Sequence, residues 1–217
     1  MKLQLALDFI ELAPALEIAE KTADYVDILE AGTPLIKAVG LESVRTLKDR
    51  FAHKIIDADM KAADVGDLET KIAAQAGANI VHVLGITPLQ TIKEAVLEAK
   101  NYPDTKITVD IGGIKELVGM EGLKQRIKQI EDIAPDYLEV HTTISQQREG
   151  MAPFSDIREI SKLTDLPLAV AGGITAQNAN ELKDIGNLEI VIVGGGITKA
   201  QDALAEAKKI KKIISQL

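Results

Sequence analysis

Cysteine is absent from all 217 residues. That excludes disulfides and thiolate metal centres, and it makes a reducing cytosol the natural compartment, so a cytoplasmic location is expected. No window approaches ~18 uninterrupted apolar residues, so no membrane span is expected. The opening stretch MKLQLALDFIE lacks the basic region and following apolar run of a signal peptide. A concentrated basic face is missing too: the net charge of −8 opposes binding to a phosphate backbone, so nucleic acid is not an expected partner. No proline- or serine-rich linker interrupts the chain, which reads as one domain over residues 1–217. What is present is ordinary for a soluble globular protein, with 46% apolar and 27% charged residues.

The chain alternates between two kinds of segment. Short β-branched runs occur at 3–8, 24–32, 54–60, 78–86, 106–113, 136–142, 167–173 and 188–196. Between them lie stretches with apolar spacing near 3.6, such as LAPALEIAEKTA, DLETKIAAQAG, AQNANELKDIG and AQDALAEAKKIKKII. Thr87-Pro88 reads as a helix start, and Gly77 and Gly186 read as helix stops. Strands alternating with helices imply parallel pairing and right-handed crossovers. Eight such units predict a single α/β domain, a compact (β/α)8 TIM barrel. A doubly wound sheet would need a glycine-rich phosphate turn after its first strand, and LALDFIELAP has none.

In such a barrel the C-terminal strand ends converge on one mouth. Reading the ends in turn gives Asp8, Glu30, Asp59 with Lys61 and Asp64, then Asp110 and His141. Each taken alone has a bland explanation: a cap for Asp8 or Asp110, a carbonyl-bonded core residue for His141. Their coincidence at one end of different strands favours a site. His53 falls before the third strand, on the stability face, and His82 falls mid-strand, where no role is expected.

Glu30 and Asp59 supply the hard oxygen ligands preferred by Mg2+, and Mn2+ takes similar ones. Lys61 adds positive charge near developing negative charge. His141, near neutrality, is suited to moving a proton to or from carbon. Gly172-Gly173 and Gly194-Gly195 precede expected helix starts, where backbone N–H groups can face a phosphate, although tight turning alone also requires glycine. These residues point to a metal-assisted reaction on a phosphorylated carbonyl compound through an enediolate.

Asp59-Met60-Lys61-Ala62-Ala63-Asp64 carries the pattern D-x-K-x-x-D. With Glu30 in ILEAGTP, His141 in VHT, AVAGGI (169–174) and IVIVGGGI (190–197), the chain resembles the orotidine-5′-phosphate decarboxylase superfamily over essentially its whole length. Within it, the resemblance is to the hexulose-phosphate synthase / 3-keto-L-gulonate-6-phosphate decarboxylase branch. That resemblance implies Mg2+ on Glu30 and Asp59, Lys61 on the enediolate, and Asp8 helping to hold this network. It implies His141 as the acid/base and phosphate at Gly172, Gly173, Gly194 and Gly195. It also implies a homodimer with shared active sites, Asp64 reaching into the partner subunit.

Decarboxylases of the branch carry arginines where this chain has Ile144 and Gly195, and VGGGI matches the synthases. The implied reaction is therefore a lyase-type aldol condensation of formaldehyde with D-ribulose 5-phosphate, as in the ribulose monophosphate pathway, with decarboxylation as the alternative. Departures from the synthase pattern cluster at the mouth: Asp110-Ile111-Gly112-Gly113, Thr143-Ile144, ELVGMEG (116–122), which reads as an insertion, and Arg148-Glu149. Asp57, two residues before Asp59 on the same strand face, is expected to be buried and hydrogen-bonded beneath the site.

Overall fold

A computed structural model describes residues 1–217. Eight strands run β1 (Lys2–Leu7), β2 (Ile28–Ala31), β3 (Ile55–Ala62), β4 (Ile80–Leu84), β5 (Lys106–Asp110), β6 (Tyr137–His141), β7 (Leu168–Ala171) and β8 (Leu188–Val193). Each pairs in parallel with the next, and β8 returns to β1, closing the barrel. The expected (β/α)8 architecture is the one found. The helices are α1 (Leu12–Thr22), α2 (Thr33–Val39), α3 (Glu42–Arg50), α4 (Gly66–Gln75) and α5 (Leu89–Ala99). They continue as α6 (Ile114–Glu131), α7 (Ile144–Arg148), α8 (Phe154–Ile160), α9 (Gly195–Thr198) and α10 (Ala203–Ile214).

Alternation along each strand sorts side chains into two environments. Leu3, Leu5, Leu29, Val81, Ile107, Leu138 and Val191 join the main core with residues of the surrounding helices. Burying each contributes roughly 1.5–3 kcal/mol, so stability resides chiefly in this outer shell. The other phase fills the lumen. Ala6, Ile28, Ile80, Tyr137, Ala169, Ala171, Ile190 and Ile192 form a separate apolar cluster. Strands β1 to β6 add Gln4, Glu30, Asp57, Asp59, His82, Thr108, Asp110 and Glu139, all buried. Buried charges of that kind persist only when paired or when they hold an ion.

Several local expectations change. The helix expected at 176–186 is a single 3-10 turn, Ala179–Leu182. Asn178 competes for the backbone there: its Oδ1 accepts from Thr175 N (2.8 Å) and its Nδ2 donates to Gly173 O (2.9 Å). Asp184, at φ 64°, takes the left-handed position in place of Gly186. Thr87 is not a cap, because its hydroxyl turns back to Leu84 O (2.9 Å) and Pro88 precedes the first turn of α5. Gly77 does follow α4 at φ 100°. ELVGMEG lengthens α6 at its start, with a break at Gly119 (φ 70°, ψ 177°).

Candidate active site

The end of β3 is irregular where its chemistry begins. Ala58 pairs with Val81 and Ala62 with Val83, so four residues of β3 advance against two of β4. Lys61 sits at φ 46°, which is uncommon for a residue with a Cβ. A bulge of this kind re-aims side chains. Here Lys61 Nζ comes 3.2 Å from Asp59 Oδ1 and 2.8 Å from Asp110 Oδ2. Thr33, the first residue of α2 and part of EAGTP, fixes the other Asp59 oxygen: its Oγ1 donates to Oδ2 at 2.6 Å. Asp59 Oδ1 is buried and makes no well-aligned hydrogen bond; its neighbours are Lys61 Nζ at 3.2 Å and His82 Nδ1 at 3.6 Å.

Asp110 links Lys61 to His141. Its Oδ1 accepts from Gly112 N (2.7 Å), the turn-capping contact, while Oδ2 serves Lys61 and lies 3.2 Å from His141 Nδ1. Burial alone would raise the Asp110 carboxyl, but His141 and Lys61 outweigh it and hold it well below the usual carboxylate range. Burial likewise pulls Lys61 down, and the charges of Asp110 and Asp59 reverse this, keeping the ammonium protonated. For His141 burial again acts downward. The hydrogen bond to Asp110 and the charge of Glu139 win, so its pKa is raised. With Nδ1 turned to carboxylates, Nε2 is the nitrogen left to face a substrate.

Beneath this layer lies a second one. Gln4 Nε2 bridges Glu30 Oε2 (2.7 Å) and Asp57 Oδ2 (2.8 Å). His82 Nε2 lies 2.8 Å from Asp57 Oδ2, and its Nδ1 lies 2.9 Å from Glu139 Oε2 and 3.6 Å from Asp59 Oδ1. Burial disfavours charge on His82, yet Asp57 and Glu139 outweigh it and raise its pKa well above the histidine range. Asp57 is thus buried and hydrogen-bonded below the site, as its strand phase predicts. His82, set aside on sequence, is the surprise: it sits in the lumen among three carboxylates. Glu139 and Gln4 also escaped notice. Glu139 stands two residues before His141, in the relation that Asp57 bears to Asp59, and strand phase would have found it.

Glu30 is buried and its carboxyl is held well above its usual range, by burial first and then by Asp59 and Asp57. Five carboxyl groups, Glu30, Asp57, Asp59, Asp110 and Glu139, crowd the lumen around Lys61, His82 and His141. A divalent cation on Glu30 and Asp59 fits both observations. Ligand atoms of Asp110, Glu139 and His141 also lie within 4.8 Å of one another. Lys61 pairs more closely with Asp110 (2.8 Å) than with Asp59 (3.2 Å), and His141 Nδ1 faces the same Asp110 oxygen, which disfavours a metal there.

The remaining expected residues are placed unevenly. Asp8 lies at the rim between two glycines. Its Oδ1 would lie 2.2 Å from a Cβ on Gly32, so a side chain there would displace it, and its Oδ2 would lie 3.2 Å from one on Gly194, a tight contact. Its carboxyl is raised, by desolvation among these neighbours and then by Asp59. Asp64 is exposed and accepts from Val65 N (2.8 Å); it does not join Lys61 within its own subunit. Gly172 and Gly173 are left-handed, at φ 106° and 71°, but no helix follows them directly; Gly194 precedes the four-residue α9. A crevice of about 570 Å3 opens between the β5 and β6 ends and α6 and α8, with His141 on its wall. At the opposite barrel end, His53 lines a shallower cavity with lysines, away from this chemistry.

The model of the orotidine 5′-phosphate decarboxylase / HUMPS family matches residues 1–210. The chain is 38% identical over 217 residues to 3-hexulose-6-phosphate synthase of Bacillus subtilis (strain 168), covering 100% of both chains. Its structure superposes on 3-hexulose-6-phosphate synthase from Salmonella typhimurium with a TM-score of 0.93 at 36% identity, covering 100% of this chain and 99% of that one. KGPDC from Streptococcus mutans gives 0.90 at 27% identity, covering 99% and 97%.

Proposed function

The chain belongs to the orotidine 5′-phosphate decarboxylase / HUMPS family, and we propose that it condenses formaldehyde with D-ribulose 5-phosphate to give D-arabino-3-hexulose 6-phosphate. One observation carries the chemistry: Asp110 joins Lys61 to His141, and Lys61 reaches on to Asp59. The full-length similarity to proteins named 3-hexulose-6-phosphate synthase supports the choice of reaction.

His141 Nε2 takes a proton from C1 of the ketose phosphate, with Nδ1 held by Asp110. Lys61 donates to the enediolate oxygen as charge develops, and its two carboxylate neighbours keep it protonated and aimed. C1 then forms a bond to the formaldehyde carbon, and the oxygen of the broken carbonyl π-bond takes the proton back from His141. Asp59 and Glu30 would hold Mg2+, which supplies Lewis-acid polarisation of the substrate oxygens when bound. Asp8, on the rim beside Gly194, helps to hold the network of Asp59 and Lys61. The glycines at 172–173 and 194–195 receive the phosphate.

The working unit in this reading is a homodimer. Val65, just before α4, and Leu68 and Ile72 on it expose apolar side chains next to Asp64. Such a patch favours a partner surface and would carry Asp64 towards the neighbouring mouth. The test is formaldehyde consumption with Mg2+ and ribulose 5-phosphate, run beside decarboxylation of 3-keto-L-gulonate 6-phosphate. Turnover in the first assay alone is expected. Turnover in the second alone would move the chain to the decarboxylase branch.

A further inference from the structure

The loops assigned to the substrate phosphate have donors but little charge. Gly172-Gly173 carries no helix behind it, and α9 has four residues, too few to build a strong dipole. A phosphate monoester near neutral pH carries between one and two negative charges, which backbone N–H groups alone leave unneutralised. Asp8, on the same rim, makes the shortage worse.

Two lysines occur between positions 172 and 200. Lys183 follows the 3-10 turn after β7, where its carbonyl accepts from Arg158. Lys199 is placed differently. It caps the C-terminal end of α9, with its backbone N–H bonded to Gly195 O at 3.2 Å. Its side chain runs back along the glycine loop: Cδ, Cε and Nζ lie 3.5, 3.7 and 3.9 Å from where a Cβ on Gly195 would sit. No carboxylate lies within ion-pair distance of it, and its charge is felt by Asp8 across the rim. The ammonium is therefore beside the loop and unclaimed.

We propose that Lys199 is a substrate-binding residue whose ammonium closes the phosphate site from the β8 side and supplies the charge that the glycine loops lack. The inference rests on the reading of the β7 and β8 loops as the phosphate site.

Lys199→Gln and Lys199→Arg test it, in the full-length protein with Mg2+. A charge-assisted hydrogen bond to a phosphate predicts a KM for ribulose 5-phosphate raised about ten- to hundred-fold in Lys199→Gln, with kcat changed less than about threefold. Lys199→Arg should restore most of the loss. Calorimetric titration with inorganic phosphate should show the same fall in affinity without any turnover. The loss should be confined to the phosphorylated substrate, with kcat/KM for unphosphorylated D-ribulose the same in wild type and Lys199→Gln. An unchanged KM and phosphate affinity in Lys199→Gln would overturn the assignment. So would an equal loss with D-ribulose, which would mean a general disturbance of the mouth. A wild-type protein that neither binds phosphate nor turns over ribulose 5-phosphate would instead sink the underlying functional reading.

Discussion

Asp110→Asn removes one charge while keeping the shape of the side chain and its contact with Gly112 N. Lys61 then retains only Asp59 at 3.2 Å, and His141 retains only Glu139 Oε1 at 3.8 Å, beyond hydrogen-bond reach. Removing one partner from a buried ion pair typically costs about 3–5 kcal/mol. Lys61 is 25% exposed and keeps one carboxylate, so about 2–3 kcal/mol is the better figure here. In a chain of this size that corresponds to a Tm lower by roughly 4–12 °C. Because Asp110 is held below its unfolded pKa, its contribution is complete above about pH 4 and shrinks as pH falls, so the two Tm curves should converge in acid. His141 loses the hydrogen bond that raises its pKa, so the rising limb of kcat/KM should move to lower pH while its plateau drops about a hundredfold. Calorimetry and a pH–rate profile read the two effects separately. A variant with wild-type Tm and an unmoved profile would refute the assignment of Asp110 as the link between Lys61 and His141.

Other perturbations follow from the same geometry. Lys61→Ala should lower turnover by about 10²–10³-fold with an unchanged circular dichroism spectrum, and near-normal turnover would remove the enediolate from its role. Glu30, held above its usual pKa, favours the folded metal-free chain below the unfolded carboxylate range and loses that contribution as pH rises through its raised value. Binding Mg2+ displaces the Glu30 proton, so the Tm increment given by saturating Mg2+ should be larger at pH 8 than at pH 5.5; equal increments would count against Glu30 as a ligand. Mixing and reassociating Lys61→Ala with Asp64→Ala should regain about a quarter of wild-type activity, since half the dimers would hold one intact shared site. No recovery, with hybrid dimers demonstrated, would place Asp64 outside the partner's site.

The sequence made the barrel legible because β-branched runs and 3.6-residue patterns alternate without exception, and the family resemblance spans the same length. It was less informative where side chains compete with the backbone, as when Asn178 dissolves the helix expected after β7. The upper layer of the site was readable from strand ends alone. The lower layer was readable in part, since strand phase placed Asp57 correctly and the same reasoning applied to YLEVH would have found Glu139. His82 was harder to see: a histidine flanked by Val81 and Val83 looks like core, and only closure of the barrel sets it between Asp57 and Glu139. Asp110 was visible but ambiguous, and the structure makes it both turn cap and ion-pair centre. The bulge that turns Lys61 towards Asp110 has no signature in DADMKAAD beyond the motif itself.

The central claim is an enediolate formed at C1 by His141 and held by Lys61, and proton exchange tests it without the second substrate. Ribulose 5-phosphate incubated with the protein and Mg2+ in D2O, without formaldehyde, should lose one of its two C1 proton signals by NMR, and only one. Exchange should vanish in His141→Asn and on removal of Mg2+ by EDTA. Formaldehyde consumption with no C1 exchange in its absence, or exchange that survives either perturbation, would contradict the account.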